Sequence, residues 1–105
     1  MAQVVWTEPA LSDLREIAEY IALDKESAAK RFVQEVFSSV ERLGQFPKSG
    51  RKPPELDSKT RYREIIIGPS RVLYRFFEDK VYILYVMRGE QQLRKYLIDD
   101  RMKDL

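Results

Sequence analysis

The stretch Arg61–Arg88, RYREIIIGPSRVLYRFFEDKVYILYVMR, most constrains what this chain can fold into. It reads as three consecutive β-strands joined by tight turns. The first run, Tyr62–Ile67, is rich in isoleucine. Gly68-Pro69 breaks it, because proline removes a ladder donor and glycine permits backbone angles closed to other residues. The second run is Arg71–Phe77, and Glu78-Asp79-Lys80 is the polar turn that ends it. The third, Val81–Met87, is almost wholly β-branched, aliphatic and aromatic, the composition that suits a pleated, packed surface.

A sheet wet on one face alternates apolar and polar residues. These runs do not. Strict alternation sets Val81, Ile83, Tyr85 and Met87 against Tyr82, Leu84 and Val86, and sets Val72, Tyr74 and Phe76 against Leu73 and Phe77. Both faces therefore want cover. One pair of helices covers one face; the other is either closed by the terminal segments or left for a partner.

The helices precede the strands. Val4-Val5-Trp6 is a short apolar run that reads as an edge strand, and Thr7 is placed to cap a helix with Pro9 in its first turn, where the missing N–H costs nothing. Helix one is expected over Glu8–Leu23, with Leu11, Leu14, Ala18 and Ile21 in a stripe that Ala10 and Ile17 widen. Asp24-Lys25-Glu26 is short, so the next helix turns back as a hairpin. Ser27 is its expected cap. Phe32, Val36, Val40 and Leu43 form its apolar line, and Gly44 with Pro47 ends it. Lys48–Lys59 reads as an extended loop. After Met87 the chain turns polar, and residues 90–105 are either a short helix lined by Leu93, Tyr96, Leu97 and Met102 or a mobile tail.

At 105 residues the chain is expected to form one domain. No apolar run approaches the roughly 20 residues that span a bilayer, and the N-terminus lacks the pattern of a secretory signal, so a cytoplasmic, membrane-free protein is expected. Cysteine and histidine are both absent. That removes disulfides, Ser-His and Cys-His nucleophile pairs and most zinc sites. No Walker or GxGxxG pattern is present, and no cofactor or metal is expected; Asp99-Asp100 is a weak cation signal on a terminal segment. Arg63, Glu64, Arg71, Arg75 and Arg88 make a phosphate-directed site conceivable, but arginine and glutamate on neighbouring strands commonly form cross-strand pairs. The charge is uneven. Residues 1–47 carry five basic and eight acidic side chains, net −3, whereas residues 48–75 carry eight basic and three acidic, net +5. A basic middle favours an acidic partner or nucleic acid.

A family resemblance joins these pieces. VVWTEPALSDLREIAEYI, AAKRFVQEVFSSVERLGQFPKSGRKPPEL, YREIIIGPSRVLYRF and VYILYVMRGEQQLRK resemble the ParE branch of the RelE/ParE toxin superfamily, over about residues 4–97. Phe46-Pro47 with Gly50-Arg51, Pro54-Glu55-Leu56, Tyr62-Arg63-Glu64 and Arg71-Val72-Leu73-Tyr74-Arg75 carry it by their order and spacing. The resemblance implies an α+β fold of β-α-α-β-β-β order, with a helical hairpin on a mostly antiparallel sheet. It implies the toxin of a type II toxin–antitoxin module, with a ParD-like antitoxin as partner and DNA gyrase as the target inhibited by binding. No sequence-specific DNA binding by the chain alone is expected. RelE-like relatives instead cut messenger RNA on the ribosome, which is the alternative. Many superfamily members carry a histidine where this chain reads Met87-Arg88-Gly89-Glu90, and Tyr96 lies well beyond that strand end, so Arg63, Arg71 and Arg75 are expected not to be catalytic.

From the unbalanced strands and the basic middle, an antitoxin segment is expected to dock across an open sheet face. Arg63, Arg71 and Arg75 are its expected rim contacts, and Tyr74, Phe76, Tyr82 and Tyr85 its apolar ones.

Overall fold

The three runs form the three consecutive strands of a four-stranded sheet in a computed structural model, which describes residues 1–89, 91–103 and 105. Chain order is β1 (Gln3–Trp6), α1 (Glu8–Asp24), α2 (Glu26–Glu41), a 3-10 turn (Arg42–Gly44), β2 (Tyr62–Ile67), β3 (Ser70–Phe77), β4 (Lys80–Arg88) and α3 (Lys95–Lys103). The spatial order is β1-β4-β3-β2. β1 runs parallel to β4; the other pairs are antiparallel. The expected α+β architecture, a helical hairpin on a mostly antiparallel sheet, is the one observed.

Both hairpin turns follow from their residues. Gly68 takes a φ of 55° at the first central position of a two-residue turn, where a II′ turn requires glycine. Glu78 and Asp79 take φ of 50° and 65°, the paired positive angles of an I′ turn, between paired Phe77 and Lys80.

Strict alternation fails in β4. Leu73 pairs with Tyr85, but Tyr74 pairs with Ile83, so Leu84 is an extra residue in the strand. The bulge turns two consecutive residues to one side. Val81, Ile83 and Val86 therefore share the helical-hairpin side, and Tyr82, Leu84, Tyr85 and Met87 the other. The expected grouping of Tyr85 and Met87 with Val81 and Ile83 is corrected by that one inserted residue.

Thr7 locks the first helix to the sheet. Its Oγ1 donates to Ile83 O at 2.7 Å and accepts from Ala10 N at 3.4 Å, so one hydroxyl both ends β1 against β4 and caps α1. The connection to α2 is a single extended residue, Lys25. Its N–H returns to Ile21 O and its carbonyl receives Ala29 N–H, which leaves Ser27 inside the first turn and not at the cap. Ala10, Leu14 and Ile17 of α1 and Phe32, Val36 and Val40 of α2 bury against Val72, Tyr74, Val81, Ile83 and Val86.

The second face is not open. Leu73, Leu84 and Met87 lie under Leu93 and Ile98, flanked by Leu56 and Met102. The terminal segment is a helix, and its buried anchor is Ile98, while Tyr96 stands 67% exposed. Closure by terminal segments, one of the two expected outcomes, is the one realised, so the expectation of an apolar face left bare for a partner is corrected. Among the described residues, no helix is long and apolar enough to cross a membrane.

Candidate functional site

The basic middle of the chain builds a buried ion network on β2 and β3. Glu64 and Arg71 sit diagonally across the antiparallel pair, since Glu64 opposes Leu73 and Arg71 opposes Ile66. Such positions are within reach of long side chains. The Glu64 carboxylate is wholly inaccessible; it receives Arg71 Nη1 at 3.0 Å and Arg51 Nε at 2.7 Å. Arg71 also forks onto Glu55, with Nη1 donating to Oε1 at 2.9 Å and Nη2 to Oε2. Hydrogen bonds from Arg71 hold the Glu55 carboxyl below its ordinary value, and those bonds in turn raise the Arg71 guanidinium.

A second set of contacts fixes the loop before β2. Tyr74 Oη donates to Pro47 O and accepts from Gly50 N, each at 2.9 Å, and Arg63 Nη1 donates to Gly50 O at 2.7 Å. Burial raises the Tyr74 phenol, which stays a donor. Arg51 then pairs with Glu64 through an isolated backbone bridge. Arg51, Glu55, Glu64 and Arg71 thus join loop and sheet, a structural use of side chains that the charge count alone presents as free.

The seven expected contact residues divide between the two sides of the sheet. Tyr74 and Phe76 pack into the helical-hairpin side, and Arg63, opposite Tyr74, lies with them. Arg71, Arg75, Tyr82 and Tyr85 lie on the α3 side, as Leu73 does. Tyr74 is fully buried and offers no surface, because its ring fills the core and its hydroxyl holds the Pro47–Gly50 turn. Arg71 is 7% exposed and spent on two carboxylates, so it is no rim contact. Arg63, Arg75, Phe76, Tyr82 and Tyr85 keep partial exposure. Arg75 places its guanidinium 4.9 Å from the Phe77 ring centroid.

Residues that drew no expectation build a second charged cluster where α1, β4 and α3 meet. Asp13 Oδ2 accepts Val86 N–H at 3.1 Å, and Arg101 donates to both Asp13 oxygens and, at 2.9 Å, to Leu84 O. Arg101 also stacks on Tyr85, 3.7 Å from its centroid. These bonds satisfy backbone groups on the bulged segment beyond the end of β1. A cleft of about 580 Å³ opens beside them, lined in part by Ser12, Glu16 and Arg88. Arg88 lies 5.1 Å from the Tyr20 ring centroid. Glu90, the last residue of the strand-end motif, lies outside the described residues. Asp99, half of the weak cation signal, is engaged otherwise: it accepts from Tyr62 Oη at 2.6 Å and pairs with Lys95 at 2.7 Å, bonds that lower its carboxyl. The only sequence signal for Asp13 and Arg101 is a carboxylate and a cation outside the apolar stripes of their helices, which says nothing of a contact 88 residues apart.

Residues 4–93 match the family model of the ParE toxin of type II toxin–antitoxin systems, parDE. The chain belongs to the ParE toxin family. Among curated relatives it is 38% identical over 92 residues to Y4kP of Sinorhizobium fredii, covering 86% of this chain and 91% of that one. It is 35% identical over 79 residues to toxin RelE2 of Caulobacter vibrioides, covering 75% and 84%. Among solved structures it superposes with TM-score 0.70 and 26% identity on a chain of the chromosomal ParDE toxin–antitoxin system of Pseudomonas aeruginosa, covering 86% of this chain and 98% of that one. In this ParE-family toxin the network of Arg51, Glu55, Glu64 and Arg71 lies inside the matched span, whereas α3, with Asp99 and Arg101, lies beyond it.

Proposed function

We propose that residues 1–105 form one toxin domain that acts in the cytoplasm by binding and inhibiting DNA gyrase, and that a ParD-like antitoxin neutralises it. Family membership supports the toxin reading. The commitment of Arg63, Arg71 and Arg101 supports inhibition by binding rather than by bond cleavage. Arg71 is closed between Glu55 and Glu64, Arg101 is clamped to Asp13, and Arg63 holds a backbone carbonyl. Stabilising a phosphorane-like anion needs cations aimed at the reacting group and not already spent on carboxylates. With no histidine in the chain, proton transfer near neutral pH would also need a carboxyl or phenol shifted far toward neutrality. The tyrosines with shifted phenols, Tyr62 and Tyr74, are shifted away from it.

The antitoxin contacts proposed on this reading are the half-exposed members of the expected set: Arg75, Tyr82 and Tyr85 on the α3 side, and Arg63 and Phe76 on the hairpin side. Ribosome-dependent cleavage of messenger RNA is the second reading. Likeness to a relative named RelE2 favours it, as does the cleft that holds Arg88 near Arg101.

One pair of assays separates the two. Purified toxin is titrated into a gyrase supercoiling reaction and, in parallel, into a translating ribosome system with a defined message. Loss of supercoiling with intact message is expected. Message cleavage that Arg88→Ala abolishes, with supercoiling unaffected, would replace the binding reading with the nuclease.

A further inference from the structure

Among exposed side chains, charge separates by element. Over residues 8–41, the helical hairpin, seven are acidic and four basic, net −3. Over residues 42–67, the loop and β2, two are acidic and six basic, net +4. Both of those acids are engaged: Arg71 forks onto Glu55, and Asp57 Oδ1 accepts Lys59 N–H at 2.7 Å. The six cations are Arg42, Lys48, Arg51, Lys52, Lys59 and Arg61. Of these, only Arg51 forms an ion pair among the described residues, and its side chain stays 60% exposed.

The buried network explains why these cations stay in water. Arg51 and Arg71 neutralise Glu64, and Arg71 neutralises Glu55, so neither carboxylate is left for the exposed set. The same contacts fix the loop beside the strand. Tyr74 and Arg63 hold the Gly50 amide and carbonyl, and Arg51 bridges to the Glu64 backbone at 2.8 and 3.0 Å. Lys52 Nζ donates to Ser58 O at 2.7 Å and closes the loop on itself. The cations then run along an edge instead of converging on one point. Arg61 precedes β2, Arg51 lies against Glu64, and Arg42 lines a groove of about 510 Å³ beside Ile65 and Ile66. That groove carries no carboxylate, whereas the cleft beside α1 holds Asp13 and Glu16, and the hairpin groove holds Glu19 and Glu26. A fixed strip of one sign, set apart from an acidic hairpin, orients a molecule on a polyanion.

We propose that this basic border of β2 and its preceding loop contacts the phosphate backbone of duplex DNA, without regard to base sequence. A row of separate cations suits repeated phosphates, and phosphate contacts set position while carrying no sequence information. The proposal rests on the gyrase reading and deepens it. An inhibitor seated on an enzyme that holds DNA meets a polyanion there, and the strip turns the acidic hairpin away from it.

The test titrates toxin into a labelled duplex of about 20 base pairs, followed by fluorescence anisotropy at about 50 and about 200 mM salt, with gyrase supercoiling in parallel. Contacts to about three or four phosphates should make the affinity fall by roughly 40- to 150-fold over that range. The strip variant combines Arg42→Gln, Lys48→Gln and Arg61→Gln. These cations are exposed and form no ion pair among the described residues, so circular dichroism should show the fold unchanged. Its DNA affinity should drop by at least about tenfold at the lower salt, and its salt slope by about one for each cation that touches phosphate. Its inhibition of supercoiling should weaken with it. The reference variant combines Arg15→Gln, Lys30→Gln and Arg31→Gln, the same change in net charge placed on the hairpin, and should behave as wild type. No DNA binding by wild-type toxin at the lower salt, undiminished binding by the strip variant, or an equal loss in the hairpin variant overturns the proposal. Loss of gyrase inhibition with DNA affinity intact also overturns it and assigns the strip to an acidic protein surface. If wild-type toxin binds DNA as expected and leaves supercoiling untouched, the gyrase reading falls and the DNA contact stands.

Discussion

Glu64→Ala tests whether the buried network holds the loop to the sheet. The Glu64 side chain is 0% exposed and that of Arg71 9%. Removing one partner of a buried pair typically costs about 3–5 kcal/mol, most of it from the charge left behind. Two features of the site adjust that figure. Arg71 keeps Glu55, so its charge is not wholly stranded, and the expected loss sits near the lower end, about 3 kcal/mol. Arg51 is 60% exposed, so its own pairing adds less than about 1 kcal/mol. Set against a total stability of roughly 5–15 kcal/mol, this is a large fraction. At about 4–8 °C per kcal/mol for a domain near this size, the melting point should fall by roughly 12–24 °C. Urea unfolding followed by far-UV circular dichroism measures it directly. Glu64→Gln keeps the volume and an acceptor and should lose less. The double variant Glu64→Leu with Arg71→Leu should recover much of the loss, because an apolar pair of similar size carries no desolvation penalty. A Glu64→Ala protein within about 1 kcal/mol of wild type would refute the reasoning, since its Arg71 would then have no need of the buried carboxylate.

Two further outcomes follow from the same contacts. Gly50→Ala should destabilise by roughly 1–3 kcal/mol, because its Cβ would meet Tyr74 Oη at 2.6 Å and Glu64 O at 2.8 Å; thermal melting checks it, and an unchanged melting point would mean the Pro47–Gly50 turn can move aside. Tyr62 and Tyr74 have folded-state values above the ordinary phenol, through burial in both and through the Asp99 bond in Tyr62. Their stabilisation is therefore complete below pH 10 and lost as pH climbs above it. Absorbance at tyrosinate wavelengths should show two of the six tyrosines ionising only with unfolding, and smooth titration of all six with the fold intact would contradict the buried phenols.

The elements were legible because each rests on local chemistry. Thr7 with Pro9, the Phe32–Val36–Val40 stripe, Gly68 and the Glu78-Asp79 turn all act within a few residues of themselves, and those contacts hold in the structure. What was not legible depends on partners far along the chain. The extra residue Leu84 carries no mark in a run where every neighbour is apolar, yet it reverses which face Tyr85, Val86 and Met87 occupy. Ile98 was hidden in a polar tail, and only its contact with Leu73, Leu84 and Met87 shows that the tail closes the second face. The charges show the difference most sharply. A net +5 over residues 48–75 is a correct count, but Arg71 lies buried between two carboxylates and Arg63 holds a backbone carbonyl. What remains for a partner is the subset of cations that the fold leaves in water. Arg51 is one of these: its Nε donates to Glu64, yet its side chain stays 60% exposed. Which cations stay in water is thus set by contacts between distant elements, and the charge count contains none of them.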